Sequence, residues 1–417
     1  MTPGLRGRAA GRAALGLVAL LAMLAMVAPA GAQVAVRGET VYTMAGPPIR
    51  NGVVLVRPDG KIERVGPAAS VPVPKGYRVL SAKVVTPGLI DAHTVVGLAG
   101  ALNAPFDQDQ LEKSNPIQPD LRAVDAYNSR ELLVGWLRHY GITTIHTGHG
   151  PGAVVSGQTM IVKTRDVLTP RDVLDSTAML ALTIGPEVAK TFAPKSPGSR
   201  PKGVALLREE LVKAQEYARK RAAATPDKPV ARDLNLDIMA QLLAGRIPAL
   251  VTAETARDIE TALRLRQEFG FRMVLDGAAE SYLVLDQLKA AGVPVIIHPT
   301  MVRSAGDMQN ATVETIGKLR GAGLHVALQS GYERYVPKTR VVLFEAAMAA
   351  AWGLPADQAL ASITIDAARI LGVDQRVGSL ETGKDGDLAL FDGDPFEYVT
   401  HVCAVVMDGD VVEEGCH

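Results

Sequence analysis

The chain of 417 residues predicts a parallel α/β fold of barrel size, set between two short all-β segments. Three observations predict it. Between Ile142 and Gly372, short β-branched runs alternate with helical segments, the pattern of right-handed strand–helix–strand crossovers. The zone that holds them, 86–371, approaches the ~250 residues typical of an eight-fold (β/α) barrel. No glycine-rich dinucleotide fingerprint or P-loop follows any run, which weighs against a doubly wound open sheet. Composition narrows the function classes. Hydrophobic residues make up 47%, enough for a full core, so disorder is excluded. Lysine plus arginine and aspartate plus glutamate both number 44, and aromatics are 4%, so nucleic-acid binding by bulk charge or base stacking is not expected. Two cysteines make neither a disulfide scaffold nor a four-cysteine zinc site.

The first zone is 1–32. Arg6, Arg8 and Arg12 precede an apolar run, Ala13 to Ala28, and the small residues Ala30-Gly31-Ala32. That is the layout of a secretory signal peptide, with cleavage expected after Ala32 and a periplasmic or extracellular destination. The mature chain would carry 41 basic against 44 acidic residues and no membrane anchor.

Residues 33–85 read as short strands with turns: Val41–Thr43, Gly52–Arg57, Ile62–Val65 and Tyr77–Leu80, with Pro58-Asp59-Gly60 as a turn. The barrel zone then gives strands at Ile142–His146, Ile247–Val251, Arg272–Asp276, Val293–His298 and Leu324–Gln329. Helices are expected at Thr255–Phe269, Glu280–Ala291, Ala311–Arg320, 340–352, 356–362 and 364–371. A charged amphipathic helix over 203–224 follows the proline-rich loop 193–202 and reads as an insertion. Residues 372–417 return to strands at Gly378–Leu380, Asp387–Phe391, Val402–Met407 and Val411–Val412, with Asp408-Gly409 as a hairpin turn. An oxidising compartment permits Cys403 and Cys416 to pair, but a two-residue turn sets Cys403 opposite Glu414. A disulfide therefore requires a diagonal reach or a bulge.

Two motifs carry a family resemblance. Val84-Val85-Thr86-Pro87-Gly88-Leu89-Ile90-Asp91-Ala92-His93 is similar to the start of the first barrel strand in the amidohydrolase superfamily. Val377-Gly378-Ser379-Leu380-Glu381-Thr382-Gly383-Lys384-Asp385-Gly386-Asp387-Leu388 resembles that superfamily's return into its β domain, and 361–372 resembles the helix before it. The stretches 121–128 and Gly141–Ile145 resemble its imidazolonepropionase-like branch. The likeness extends over nearly all of 36–415. It implies a distorted (β/α)8 barrel with a small β-sandwich built from both chain ends. It also implies hydrolysis of C–N bonds in amides, cyclic amides or dipeptides. In such enzymes a divalent metal, zinc foremost, lowers the pKa of a bound water and polarises the carbonyl. Histidines and a carboxylate at the strand ends hold the metal, and an aspartate after the last strand moves the proton.

Measured against that pattern the metal site is degenerate. His93 fits the first ligand, whereas Val95 stands at the second position of the pair. Thr252, Asp276-Gly277 and Gly331 occupy the other expected positions. Strand-end residues that could build a replacement site are His93, His146, His149, Lys163 and His298 as ligands, with Glu254 and Asp276 as acid–base groups. Lys163 is comparable to the barrel lysine that some family members carbamylate. His139, His325, His401 and His417 read as ordinary surface residues. Three readings stay open. One is a hydrolase with a rearranged or single-metal site, acting on a dipeptide or cyclic amide; the bound cofactor is a divalent metal or none. Another is a non-catalytic relative that binds a ligand or pairs with an active paralogue. The third is a passive structural protein. A homo-oligomer is compatible with each.

Overall fold

A computed structural model describes residues 33–102, 104–332 and 340–416. The expected signal segment, 1–32, and His417 lie outside the described residues. The N-terminal strands are β1 (Val34–Val41), β2 (Ile49–Val56), β3 (Ile62–Pro67) and β4 (Arg78–Pro87). Gly88 then joins β4 to the first barrel strand, β5 (Leu89–Thr94). It must be glycine, because a Cβ there would stand 2.1 Å from Thr143 Oγ1.

The barrel continues with β6 (Ile142–Thr147), β7 (Val155–Gln158), β8 (Met160–Lys163), β9 (Val173–Asp175), β10 (Leu180–Thr183), β11 (Ala249–Ala253), β12 (Met273–Gly277), β13 (Val295–Ile297) and β14 (Val326–Leu328). Strands β10 to β14 pair in parallel and in order, as do β5 and β6. The run β7–β8 joins the two groups: β7 lies antiparallel to β10 and β8 antiparallel to β6. At the opposite seam a bridge links Thr94 to Gly331.

Helices α1 (Leu132–His139), α2 (Pro186–Phe192), α3 (Arg200–Ala222), α4 (Leu234–Leu243), α5 (Ala256–Phe269), α6 (Leu285–Ala291), α7 (Thr315–Gly321), α8 (Val342–Ala351), α9 (Ala356–Ser362) and α10 (Ile365–Leu371) surround it. Helix α5 shows how local chemistry sets these limits. The Thr255 side chain caps Asp258 N, Gly270 ends the helix in the left-handed region, and Ile259, Ala262 and Leu265 are buried. The inserted pair α3 and α4 lies in the β10–β11 connection, tied by Tyr217 Oη donating to Asp237 at 2.7 Å. The segment expected as one helix from Glu280 splits into a 3-10 turn and α6.

Inside the barrel, Ile90, Ile161, Leu250, Val274, Ile296 and Ala327 form an apolar stack that packs against Ala367, Ala368 and Leu371 of α10. Polar residues stand one step further along the same strands: Thr252 follows Leu250 by two residues and Asp276 follows Val274 by two, so each faces the same way as its apolar neighbour. Strand C-terminal ends therefore carry the chemistry and the interior below them carries the packing.

The C-terminal strands β15 (Leu388–Phe391), β16 (Val402–Met407) and β17 (Asp410–Glu414) complete the sheet domain. As expected, strands from both chain ends build this domain. All seven join by hydrogen bonds in the order β17-β16-β15-β4-β1-β2-β3. The ten-residue β4 pairs with β1 on one edge and β15 on the other, which links the strands from the two chain ends. A bridge from Lys61 to Asp385 brings β3 to the loop before β15, enclosing Val36, Val54, Ile62, Val85, Leu390 and Val406. Gly378–Leu380, expected as a strand, is not one; Gly378 sits at φ 90°. The terminal hairpin contains a register shift at Val405/Val406, which places Gly415 N on the Cys403 carbonyl at 2.9 Å. That bulge brings Cys416 to Cys403, and the two form a disulfide.

Candidate functional site at the barrel mouth

The centre of the site is a buried carboxylate with three donors. Asp276, at the end of β12, accepts from Thr252 Oγ1 at 2.6 Å, from His93 Nδ1 at 2.9 Å and from Gln329 Nε2 at 2.9 Å. Parallel register puts Thr252 beside Asp276, and Gln329 directly follows β14. Burial pushes the Asp276 carboxyl up, but the neighbouring His93 and these hydrogen bonds outweigh it and hold it below its ordinary value. Because an ionised carboxylate only accepts, Nδ1 of His93 carries the proton. Its Nε2 is buried and has no hydrogen-bond partner. The His93 ring lies 5.4 Å from the Tyr332 ring and 5.6 Å from the His146 ring.

A second buried carboxyl lies alongside. Glu254, just past β11, accepts from Tyr332 Oη at 3.0 Å and from Ala279 N at 3.1 Å. Its carboxyl lies over Gly277, where a Cβ would come within 2.2 Å of Oε1. Burial, then the Asp276 charge, push Glu254 up to about 8. The site thus holds two buried carboxyls driven apart, one ionised and one protonated at neutral pH. Asp91 braces the seam: it accepts from Ser330 N at 3.0 Å, from Ser330 Oγ, and from His93 N at 3.3 Å. Burial carries it up to about 6 against those bonds.

The remaining histidines take different roles. His146 is held at both nitrogens, Nδ1 donating to the Ala92 carbonyl at 2.7 Å and Nε2 facing Thr159 Oγ1 at 2.7 Å. Burial, then the neighbouring His93, lower it to about 3, so it is neutral. His298 Nδ1 donates to the Pro299 carbonyl at 2.7 Å, leaving Nε2 buried without a partner. His149 is buried with neither ring nitrogen bonded, packed against Gly157, where a Cβ would meet its Cδ2 at 2.5 Å. Burial lowers both His149 and His298 to about 4. His325 and His401 are exposed and His139 is half-buried.

Lys163 is not with this group. It pairs across the β6–β8 ladder with Thr144, three residues before Thr147 at the mouth, and so lies toward the opposite end. Its ammonium is buried 2.9 Å from Asp385, 2.9 Å from Asp387 and 2.7 Å from Asp408. Burial lowers its pKa, but those three carboxylates outweigh burial and raise it. An amine so held is a cation, not the neutral nucleophile that carbamylation needs, so the comparison with a bridging lysine is corrected.

These donors do not gather around a common point. Among the described residues, the one group of three ligand-type side chains whose donor atoms lie within 4.8 Å is Asp392 with Cys403 and Cys416, and both sulfurs are in the disulfide. At the mouth, His93 Nδ1 and the Asp276 carboxylate are engaged with each other and His146 is held on both sides. Sequence reasoning missed Asp91, Thr252, Gln329, Ser330 and Tyr332 as working parts of the site. The available signal was position alone, since each lies within two residues of a motif residue or strand end.

Comparison with known proteins follows this geometry. A family model described as "Amidohydrolase family" matches residues 333–412. An imidazolonepropionase from Rhizobium rhizogenes is 24% identical over 379 residues, covering 84% of this chain and 88% of that protein. An amidohydrolase from Hapsidospora irregularis is 23% identical over 84% of this chain, which spans 38% of its length. Among solved structures, an amidohydrolase from Thermotoga maritima superposes with a TM-score of 0.86 at 27% identity, over 91% of this chain and 100% of that one.

Proposed function

The chain belongs to the amidohydrolase superfamily, and from that premise we propose a C–N hydrolase for small amides or cyclic amides that works through the His93–Asp276 pair. The observation that carries this reading is a buried imidazole with Nδ1 fixed by a carboxylate and Nε2 left unpaired at the barrel mouth. Hydrolysis needs a base for the attacking water and an acid for the leaving nitrogen. Nε2 of His93 takes the proton from water, and the Asp276 charge stabilises the imidazolium that forms. Glu254, raised to about 8, holds the proton that the leaving nitrogen requires. The family's zinc would supply a more acidic water and a polarised carbonyl, but the residues present do not fit such a centre, and no step here depends on one. The metal site is read as lost while the barrel was kept. A disulfide near the C-terminus supports export to an oxidising compartment, in line with a signal segment over 1–32.

A second reading is a ligand-binding relative without turnover, alone or beside an active paralogue. It draws on the closure of the mouth, where His93 and His298 are 1% exposed and His149 is 5%. One experiment separates the readings. Purified protein is assayed on a panel of small amides, cyclic amides and dipeptides, with metal content measured by mass spectrometry and with chelator present and absent. Turnover that survives chelation and disappears in His93→Gln and Asp276→Asn supports the proposal. Turnover that chelation abolishes and zinc restores would overturn the metal-free mechanism, and no turnover at all favours the binding role.

A further inference from the structure

Both cysteines of the chain lie within its last fifteen residues, at the wall of a cavity that the barrel chemistry does not use. The β15–β16 ladder pairs Leu390 with Ala404 and Phe391 with Val402, so Cys403 is the extra residue of a bulge, a device that re-aims a side chain. Its Sγ lies 4.0 Å from the His401 carbonyl. Cys416 follows β17 and is exposed. Asp392 directly follows β15 and is fixed by His401. The His401 backbone N–H donates to one carboxylate oxygen at 2.7 Å, and Nδ1 stands 3.1 Å from the other. Asp392 N in turn donates to the His401 carbonyl at 3.2 Å. Asp392, Cys403 and Cys416 line a cavity of about 710 Å³, together with Phe391 and Lys83.

We propose that Cys403, Cys416 and Asp392 form a binding site for a thiolate-preferring divalent cation, zinc foremost, which the disulfide closes and a dithiol reductant opens. One ligand atom from each of the three residues lies within 4.8 Å of the other two. A tetrahedral zinc with sulfur at ~2.3 Å and carboxylate oxygen at ~2.0 Å spaces its donors about 3.5–3.8 Å apart, within reach of side-chain rotation from this cluster. The cavity leaves the fourth position to water. Two thiolates beside one carboxylate suit zinc over magnesium or calcium, which prefer oxygen alone. His401 holds the carboxylate in place, as hydrogen bonds hold ligating carboxylates at metal centres. The opening step balances. The dithiol gives two electrons and two protons; the Cys403–Cys416 bond breaks, both sulfurs become thiols, and the dithiol closes to its own disulfide. The ion then releases both thiol protons to solvent as two metal–sulfur bonds form. One cross-link of the terminal hairpin is thereby exchanged for another, which also takes in the end of β15 through Asp392. In an oxidising compartment the site stays shut.

Cobalt makes the test specific, because a cobalt–thiolate centre absorbs light. The full chain is purified oxidised and divided, and one half is reduced with a trialkylphosphine, which becomes the phosphine oxide with oxygen from water. Both halves are titrated with cobalt and then zinc. The expected result is about one equivalent of cobalt in the reduced half, with sulfur-to-cobalt absorption in the near ultraviolet, the visible bands of a tetrahedral centre, and displacement by zinc. The oxidised half should show none of that absorption, and it accounts for any ion held elsewhere, the barrel mouth included. Asp392→Asn should weaken cobalt binding by roughly tenfold or more, and His401→Gln by about tenfold. Both variants keep the cysteines, so both are folded and purified oxidised before reduction, and far-UV circular dichroism follows the sheet. A reduced protein that takes up no cobalt overturns the proposal, and so does equal uptake in the two halves. Binding unchanged in Asp392→Asn overturns it too, because the two thiols alone would then be the chelate. Collapse of the dichroism on reduction also overturns it, because the disulfide would then hold the domain together rather than gate a site. None of these outcomes depends on the hydrolase reading.

Discussion

Replacing Lys163 with methionine tests the ion cluster between barrel and sheet domain. The perturbation removes one buried cation and keeps a similar volume. Three carboxylates then lose it unequally. Asp385 retains Lys61 and Arg376, the latter at 2.8 Å, and Asp408 retains Arg165 at 3.4 Å. Among the described residues, the Asp387 carboxylate keeps only the Asp408 backbone N–H, at 2.9 Å, once Lys163 is gone. Burial already pushes Asp387 up to about 6 against the lysine's pull. Without Lys163 its carboxyl rises further. Breaking a buried pair by removing one partner costs about 3–5 kcal/mol, and that is the loss expected at pH 8. A carboxyl whose folded pKa is raised loses stability as pH climbs through that pKa, so the variant suffers most on the alkaline side. Between pH 8 and 6 the deficit against the parent should shrink by up to about 1.4 kcal/mol per pH unit. Below pH 6 both proteins carry a protonated Asp387 and the difference levels off. The assay is urea unfolding followed by far-UV circular dichroism at pH 8 and pH 6. Adding Asp387→Asn to the variant should recover part of the loss. A deficit below about 1 kcal/mol at pH 8, or one of equal size at both pH values, would refute the reasoning.

Two further predictions concern the mouth and the hairpin. Glu254, raised from 4.5 to about 8, is an acid only while protonated, so turnover should fall as pH rises through about 8. Its raised pKa also makes stability decline from about pH 4.5 to about 8, and Glu254→Gln should flatten that decline in pH-dependent urea midpoints; an unchanged slope would count against the assignment. The protein should titrate no free thiol under denaturing conditions, and Cys403→Ser, which opens a loop of sequence separation 13, should cost about 2–3 kcal/mol.

The outline of the fold was legible in the sequence because its signals are local. Thr255 and Gly270 bound their helix by capping chemistry that operates within one turn. The strands before Asp276 and His298 read correctly as short apolar runs. Strands β7, β8 and β10 escaped, since Val155–Gln158 and Leu180–Thr183 are only four residues each and their direction depends on partners distant in the chain. The disulfide was undecided for the same reason, as a one-residue bulge settles which residues face each other.

The candidate site divides along the same line. By itself the sequence determined that His93 ends the first barrel strand, that Val95 and Thr252 stand where ligands were expected, and that the barrel motifs are intact. Those are statements about residue type at a motif position, and type is all that a sequence carries. Only the tertiary structure decided what each side chain is bonded to. It set His93 against Asp276 across 183 positions of chain, fixed His146 between Ala92 and Thr159, and drew Lys163 to aspartates more than 220 residues away. A titratable group takes its charge and its role from neighbours within a few ångströms. For these groups the deciding neighbours come from other strands, so the barrel had to close before the chemistry at its mouth could be read.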